Sequence, residues 1–242
     1  MTFPFKMGCL PAQFPGELRD LTFYVAGSLP KPPPSVAVPV VSAWEMLGND
    51  QYGDCGVASL EHGFMADATV TKEVETEASD QQAIDYYLKY TDGQDSGVVL
   101  SQYLAYVRTN GYYERSITAY APVAVHDVPT LQTAISLYDF VYTGISVTAD
   151  MQTAFQNGQP WTTEQLVDSP VVGGHAVPLC GYDDSYLYAI TWGGVQPITY
   201  SMWHNISSES WAVITGEFVT RNGDGRGVLL PALEADLNKL VA

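Results

Sequence analysis

The sequence is short of positive charge: ten Lys and Arg stand against 27 Asp and Glu in 242 residues, a formal net charge of −17. A chain this acidic repels phosphate backbones and anionic lipid, so neither nucleic acid nor a membrane surface is expected as a partner. Cysteine is scarce as well. Cys9, Cys55 and Cys180 are widely spaced, odd in number and form no Cys-x-x-Cys pair. That pattern excludes a zinc ribbon and a disulfide framework, leaves at least one thiol unpaired and favours a reducing compartment. No stretch approaches the roughly 20 consecutive apolar residues that span a bilayer. The N-terminus, Met-Thr-Phe-Pro-Phe-Lys, lacks a charged segment followed by an apolar one and does not read as a signal peptide. Internal repeats and low-complexity blocks are also missing.

What is present suits a folded domain. The chain is 46% hydrophobic and 12% aromatic, and a domain of this length buries roughly 70–75% of its unfolded surface. Residues 1–40 carry eight prolines, Pro4, Pro11, Pro15, Pro30, Pro32, Pro33, Pro34 and Pro39. Proline fixes φ and removes amide donors, so this part is expected to be an extended arm packed across a domain formed by residues 41–242. A cleavable pro-segment is the alternative reading of the same stretch.

Helical periodicity then appears. Val57, Leu60, Phe64 and Met65 predict a helix over residues 54–68, with Asp54 as its N-cap. A second helix is expected over 79–90, with Ile84, Tyr87 and Leu88 inward, and a third over 100–109, closed by Asn110-Gly111. The second half reads as β-branched and aromatic runs over 140–147, 175–182, 186–192, 197–200 and 211–218, with a turn at Asp183-Asp184-Ser185 and a short last helix over 233–241. Helices first and sheet second in one chain argue for a single α+β domain.

Two places carry chemistry. Gly48-Asn49-Asp50-Gln51-Tyr52-Gly53-Asp54-Cys55-Gly56 puts a thiol in the first turn of a helix, where the macrodipole stabilises a thiolate. Gly173-Gly174-His175-Ala176-Val177 opens a strand with a histidine that glycines leave approachable. Such a histidine can take the thiol proton and return it to a leaving group. A buried structural cysteine and a packed histidine are the plainer readings of either residue alone. The order and the separation, Cys on a helix start and His on a strand some 120 residues on, give the pair its weight.

With Thr191-Trp192-Gly193, these blocks resemble the three conserved blocks of papain-like cysteine peptidases. In detail they are similar to a divergent, phage-associated group with an Asn-Asp-x-x-Gly-Asp-Cys block and a Gly-Gln-Asp-x-Gly block, matched here by Gly93–Gly97. The resemblance covers about residues 40–218. It implies a helical half carrying the cysteine and an antiparallel β half carrying the histidine. Cys55 then falls on the nucleophile, His175 on the base, and Asn49 on the oxyanion-holding position, with Gln51 competing for that role. Trp192 is implied to shield the pair. Ile190 stands where the family has the Asn that orients the histidine. Thr191 is adjacent, but strand alternation points it to the other face.

The remaining expectations are modest. Asp54 is a carboxylate beside the thiol that opposes the dipole. His62, two turns after Cys55, is expected to pack behind the site, and Asp95 to stabilise its own loop. Cys180 reads as inert and Cys9 as an exposed arm residue. The resemblance implies a hydrolase of peptide or amide bonds acting on peptide or protein substrates, with other virion or host proteins as candidate partners; no further ligand joins Cys55, His62 and His175, so no metal or cofactor is expected. Localisation is not fixed by the sequence; the lack of a signal peptide or transmembrane run favours an intracellular or virion-associated setting. The alternative is an inactive papain-like module that binds or builds.

Overall fold

The computed structural model describes residues 5–71, 79–222 and 226–240. Its first long element is α1, Cys55–Thr71. Positions 55–68 of this helix are buried on every side, because it runs through the centre of the molecule and packs chiefly against the strand that carries His175. α2, Asp80–Tyr90, begins at Ser79 with a capping box completed by Gln82. α3, Leu100–Asn110, ends at Gly111, whose φ is 73°. These three helices form the half that carries Cys55.

The other half is a six-stranded antiparallel sheet. Its strands are β1, Ile117–Pro122; β2, Val141–Thr148; β3, Val171–Tyr182; β4, Tyr186–Thr191; β5, Gly194–Thr199; and β6, Ser207–Thr215, in the spatial order β1-β6-β2-β3-β4-β5. Helices α4, Val128–Tyr138; α5, Ala149–Gln156; α6, Tyr200–Ile206; α7, Gly216–Asn222; and α8, Leu230–Lys239 connect and cover it. The expected helices and strands are present within a few residues. β3 starts four residues before the expected 175, and the end of the last expected helix at 241 lies outside the described residues. β1 and helices α4 to α7 were not expected. α4 nonetheless carries a start signal, Asp127 accepting from Thr130 N with Pro129 in the first turn. It also carries an apolar stripe of Leu131, Ala134, Ile135 and Tyr138.

The proline-rich N-terminus, whose first four residues lie outside the described ones, contains one 3₁₀ turn, Leu21–Tyr24. It otherwise runs extended around the domain. Val25 bridges Val228, Val36 bridges Tyr182, and Cys9 bridges Val98. The last of these contacts puts residues 5–10 between the two halves, directly over the start of α1.

Candidate active site

Cys55 is the first residue of α1 and is 1% exposed. The loop that delivers it is held from two sides. Gly53 N donates to Asp95 Oδ1 at 2.9 Å, and Tyr87 OH donates to the same oxygen at 2.8 Å while accepting from Gly97 N at 2.8 Å. Asp95 therefore ties the 91–97 loop to the cysteine loop, a larger role than stabilising its own turn. Asp54 accepts from Val57 N and Ala58 N through its carbonyl, and so starts the helix. Its side chain turns back into the loop and accepts from Asn49 Nδ2 at 3.1 Å, while Oδ2 has no partner. Burial pushes this carboxyl up to about 8. At neutral pH it is mostly protonated, so the expected opposing charge beside Cys55 is largely absent.

His175 lies on β3 and is also 1% exposed. Its Nε2 is 2.7 Å from Thr191 Oγ1, its ring stacks on Trp192 with centroids 4.7 Å apart, and its Nδ1 has no partner. When Nε2 carries the proton and donates to Thr191, Nδ1 is left as a bare lone pair. Here the structure corrects the sequence reading, which put Thr191 on the far face. Tyr182↔Leu187 and Gly181↔Tyr188 would continue in regular register to set position 179 opposite position 190; a shift instead pairs Leu179 with Ala189. One extra residue in β3 exchanges the faces, so 189 and 191 share a face with 175, 177 and 179. Ile190 makes no hydrogen bond through its side chain and joins the core.

A cavity of about 10 Å³ lies at the pair, lined by Cys55, Ser59, His62, His175, Thr191 and Trp192 among others. His62 reaches it from behind while its Nε2 bonds Trp44 O and Glu45 O at 3.2 and 3.0 Å, which anchors the incoming chain. Asn49 lines the same cavity, yet its amide nitrogen donates to Tyr52 O as well as to Asp54 Oδ1. Both amide hydrogens are committed within the loop and are not directed at an oxyanion. Gln51 is exposed and does not line the cavity. Among the described residues no cluster of three or more His, Cys, Asp or Glu could hold a metal ion, and no helix is long and apolar enough to cross a membrane.

The arm closes the site. Lys6 N donates to Asn49 O, Cys9 N to Gly174 O, Leu10 N to Val98 O, and Val98 N to Gly8 O. Phe5 stacks on Trp192 at 4.3 Å. The approach is so close that a Cβ on Gly8 would lie 1.7 Å from Gly53 O, and one on Gly174 2.3 Å from Cys9 O. The backbone N–H groups of Ala176 and Gly8 lie near enough to the Cys55 sulfur to favour its thiolate, while that of Cys9 is given to Gly174 O. Burial nonetheless pushes the thiol up to about 12, the amides offsetting only part of it, and burial holds His175 down to about 3. Under the arm the pair is a neutral thiol and a neutral imidazole. Cys9 is partly buried rather than exposed, and burial pushes its thiol far up, as it does that of Cys180.

No protein-family model matches the sequence, and no curated protein matches it. Solved structures do match in three dimensions. Xylellain, a cysteine protease from Xylella fastidiosa, superposes with a TM-score of 0.66 at 16% identity over 87% of this chain and 96% of that one. The cysteine protease and lectin-like domains of Cwp84, a surface layer associated protein of Clostridium difficile, give 0.59 at 15% identity over 88% and 56%. Digestive procathepsin L 3 of Tenebrio molitor larval midgut gives 0.56 at 15% over 88% and 77%. The fold is therefore the papain-like one, with the cysteine on the helical half and the histidine on the antiparallel half.

Proposed function

We propose that the chain is a cysteine hydrolase of amide bonds in peptide or protein substrates, held latent while its own arm occupies the cleft. The observation that carries this reading is the unpartnered Nδ1 of His175 beside Cys55, fixed in orientation by the Thr191 bond and the Trp192 stack. A buried ring nitrogen without a partner costs stability, and this one belongs to a side chain that lines the cavity shared with Cys55.

With the arm lifted, Nδ1 takes the Cys55 proton as the sulfur attacks the substrate carbonyl carbon. The resulting oxyanion is stabilised at the positive end of α1, by the Cys55 N–H and by Asn49 if it releases its loop partners. Collapse breaks the C–N bond, and the leaving amine takes the proton from Nδ1. Water then attacks the thioester, giving its proton to Nδ1. The carboxylic acid leaves and the thiol is restored. Gly8 presents its N–H to the sulfur, Gly8 O is turned to Val98 N, and Cys9 N–H is given to Gly174 O. The seated arm therefore offers no carbonyl carbon to attack and acts as a plug rather than a substrate. The finer kinship with a phage-associated group, and with it a role on virion or host proteins, rests on the 49–55 and 93–97 blocks alone.

The test uses the full chain carrying Gly8→Val, which cannot seat the arm. Alkylation of Cys55 by iodoacetamide, followed by mass spectrometry across pH, should show a midpoint below pH 7 that His175→Ala abolishes. A midpoint near an ordinary thiol value of ~8.5, indifferent to His175→Ala, would sink the hydrolase reading and leave a binding module.

A further inference from the structure

Two of the four histidines, His62 and His175, line the cavity at Cys55. The other two, His126 and His204, are 78 residues apart in sequence, and the fold brings them together on the surface. His126 lies in the turn between β1 and α4, and His204 in the last turn of α6. Their Nδ1 atoms are 2.9 Å apart, with ring centroids at 5.0 Å and ring planes inclined by 32°. Both side chains are exposed. A hydrogen bond between two exposed imidazoles competes with water and contributes little to the fold, so stability does not explain the pair.

The backbone beneath the rings nevertheless holds them in place. Trp203, fully buried, donates from Nε1 to Val125 O at 2.8 Å, so the neighbour of His204 is fastened to the neighbour of His126. On the other side of His126, Asp127 caps α4, accepting from Thr130 N at 3.2 Å and from Thr130 Oγ1 at 2.6 Å. Asp127 N closes the turn on Ala124 O at 2.9 Å, and Ala124 N donates to Asp20 Oδ2 at 3.0 Å. The two imidazoles are thus set side by side by groups other than themselves. Such preorganisation removes much of the ordering cost of a chelate.

The spacing suits one metal ion. Nitrogens that each lie about 2.0–2.1 Å from a shared ion are about 2.9 Å apart at a right angle and about 3.3 Å apart at the tetrahedral angle. The rings meet nearly head-on, and a small turn of both exposed side chains points the two lone pairs at one ion. The ring that donates in the hydrogen bond then carries its proton on Nε2, so both Nδ1 atoms ligate and a neutral pair loses no proton. Imidazole nitrogen selects zinc, nickel or copper over calcium or magnesium. The carbonyl end of α6 and the formal charge of −17 both favour a cation here.

We propose that His126 and His204 form a two-histidine site for a divalent transition-metal ion such as zinc, with water completing its coordination, and that the ion clasps the turn before α4 to the end of α6. Among the described residues no third His, Cys, Asp or Glu joins the pair, so binding is micromolar and exchangeable rather than that of a closed structural zinc site. Neither histidine takes part in the chemistry proposed for Cys55, so the site stands or falls apart from it.

The probe is zinc chloride, added to the untagged full chain, and the readout is carbethoxylation of each histidine by diethyl pyrocarbonate, mapped by mass spectrometry. Zinc at about ten times its dissociation constant should slow modification of His126 and His204 together by about tenfold. In the His126→Ala chain zinc should no longer protect His204, and in the His204→Ala chain it should no longer protect His126. No protection in the unaltered chain, or protection of one histidine that survives loss of the other, overturns the proposal. The clasp itself is read by heat. The same zinc should raise the thermal midpoint by about 3–5 °C, a rise that EDTA reverses and either variant abolishes. Both side chains are exposed, so neither variant removes packing from the core. No rise in the unaltered chain, or an equal rise in both variants, overturns the clasp.

Discussion

The hydrogen bond between His175 Nε2 and Thr191 Oγ1 is the polar contact that fixes the imidazole, since Nδ1 has no partner. Replacing the hydroxyl with a methyl group keeps the volume and removes the acceptor. Thr191→Val should therefore slow Cys55 alkylation in the arm-released chain by about tenfold to hundredfold, and cost about 1–3 kcal/mol of stability for the nitrogen left unpaired. Thr191→Ser should restore most of the rate, an outcome that a purely packing role for the threonine would not give. This residue shows what the sequence could and could not convey. Cys55 and His175 stood out because their neighbours, a helix start and two glycines, are local signals, and Trp192 only through the resemblance. Thr191 did not, because its face depends on a one-residue register shift between β3 and β4. Alternation counted back from the Asp183–Ser185 turn assumes no shift and assigns the face to Ile190. Asn49, expected to hold the oxyanion, lines the cavity. Its commitment to Tyr52 O and Asp54 Oδ1 arises from a loop conformation that composition does not specify.

At the scale of elements, the readable parts were those with a period or a cap. α2 announces itself by Ser79 and Gln82, α3 by its closing Gly111, and β3 and β4 by their apolar runs and the turn between them. The arm has no period to read, and its place between the halves depends on close approach at Gly8 and Gly174 rather than on any apolar pattern. The brace from the 91–97 loop was equally hidden, since Asp95 looks like an ordinary turn residue until Gly53 N is found on its carboxylate. That brace leads to a graded prediction. Asp95→Asn keeps an oxygen able to accept from Gly53 N and Tyr87 OH and should leave the site near normal. Asp95→Ala strands both donors and should lower stability in urea titration by about 1–3 kcal/mol, with slower Cys55 alkylation in the arm-released chain. Equal behaviour of the two variants would show that the loop is held by its backbone alone. Seating of the arm is tested apart from this: Gly8→Val should raise the Cys55 alkylation rate at pH 7.5 at least about tenfold over the unaltered chain, because the thiol leaves a setting in which burial holds it near 12.

For the molecule as a whole, the buried titratable groups set how stability varies with pH. Burial raises Asp54 to about 8 and Glu61 and Glu209 to about 7, and it raises Asp67 and Asp139 around Arg221. An acid whose folded value is raised binds its proton more tightly in the fold. Its contribution is complete below the ordinary carboxyl range near 4 and is lost as pH climbs through the folded value. The two site histidines act the other way: His62 is lowered to about 4 and His175 to about 3, so both are neutral in the fold and lose stability as pH falls below about 6.5. The carboxyls outnumber the histidines, and their losses extend to pH 8, where the formal charge of −17 adds self-repulsion. The thermal midpoint should therefore peak on the acid side, near pH 4, and fall by several degrees toward pH 8, at about 2–4 °C per kcal/mol for a chain of this length. Asp54→Asn, which still accepts from Asn49 but has no proton to lose, should flatten the alkaline limb in calorimetry between pH 5 and 8.5. A midpoint that rises steadily over that range would mean that these carboxyls are ionised in the fold. Cys55 would then face a full negative charge from Asp54, and the thiolate would need His175 as its counterion from the outset.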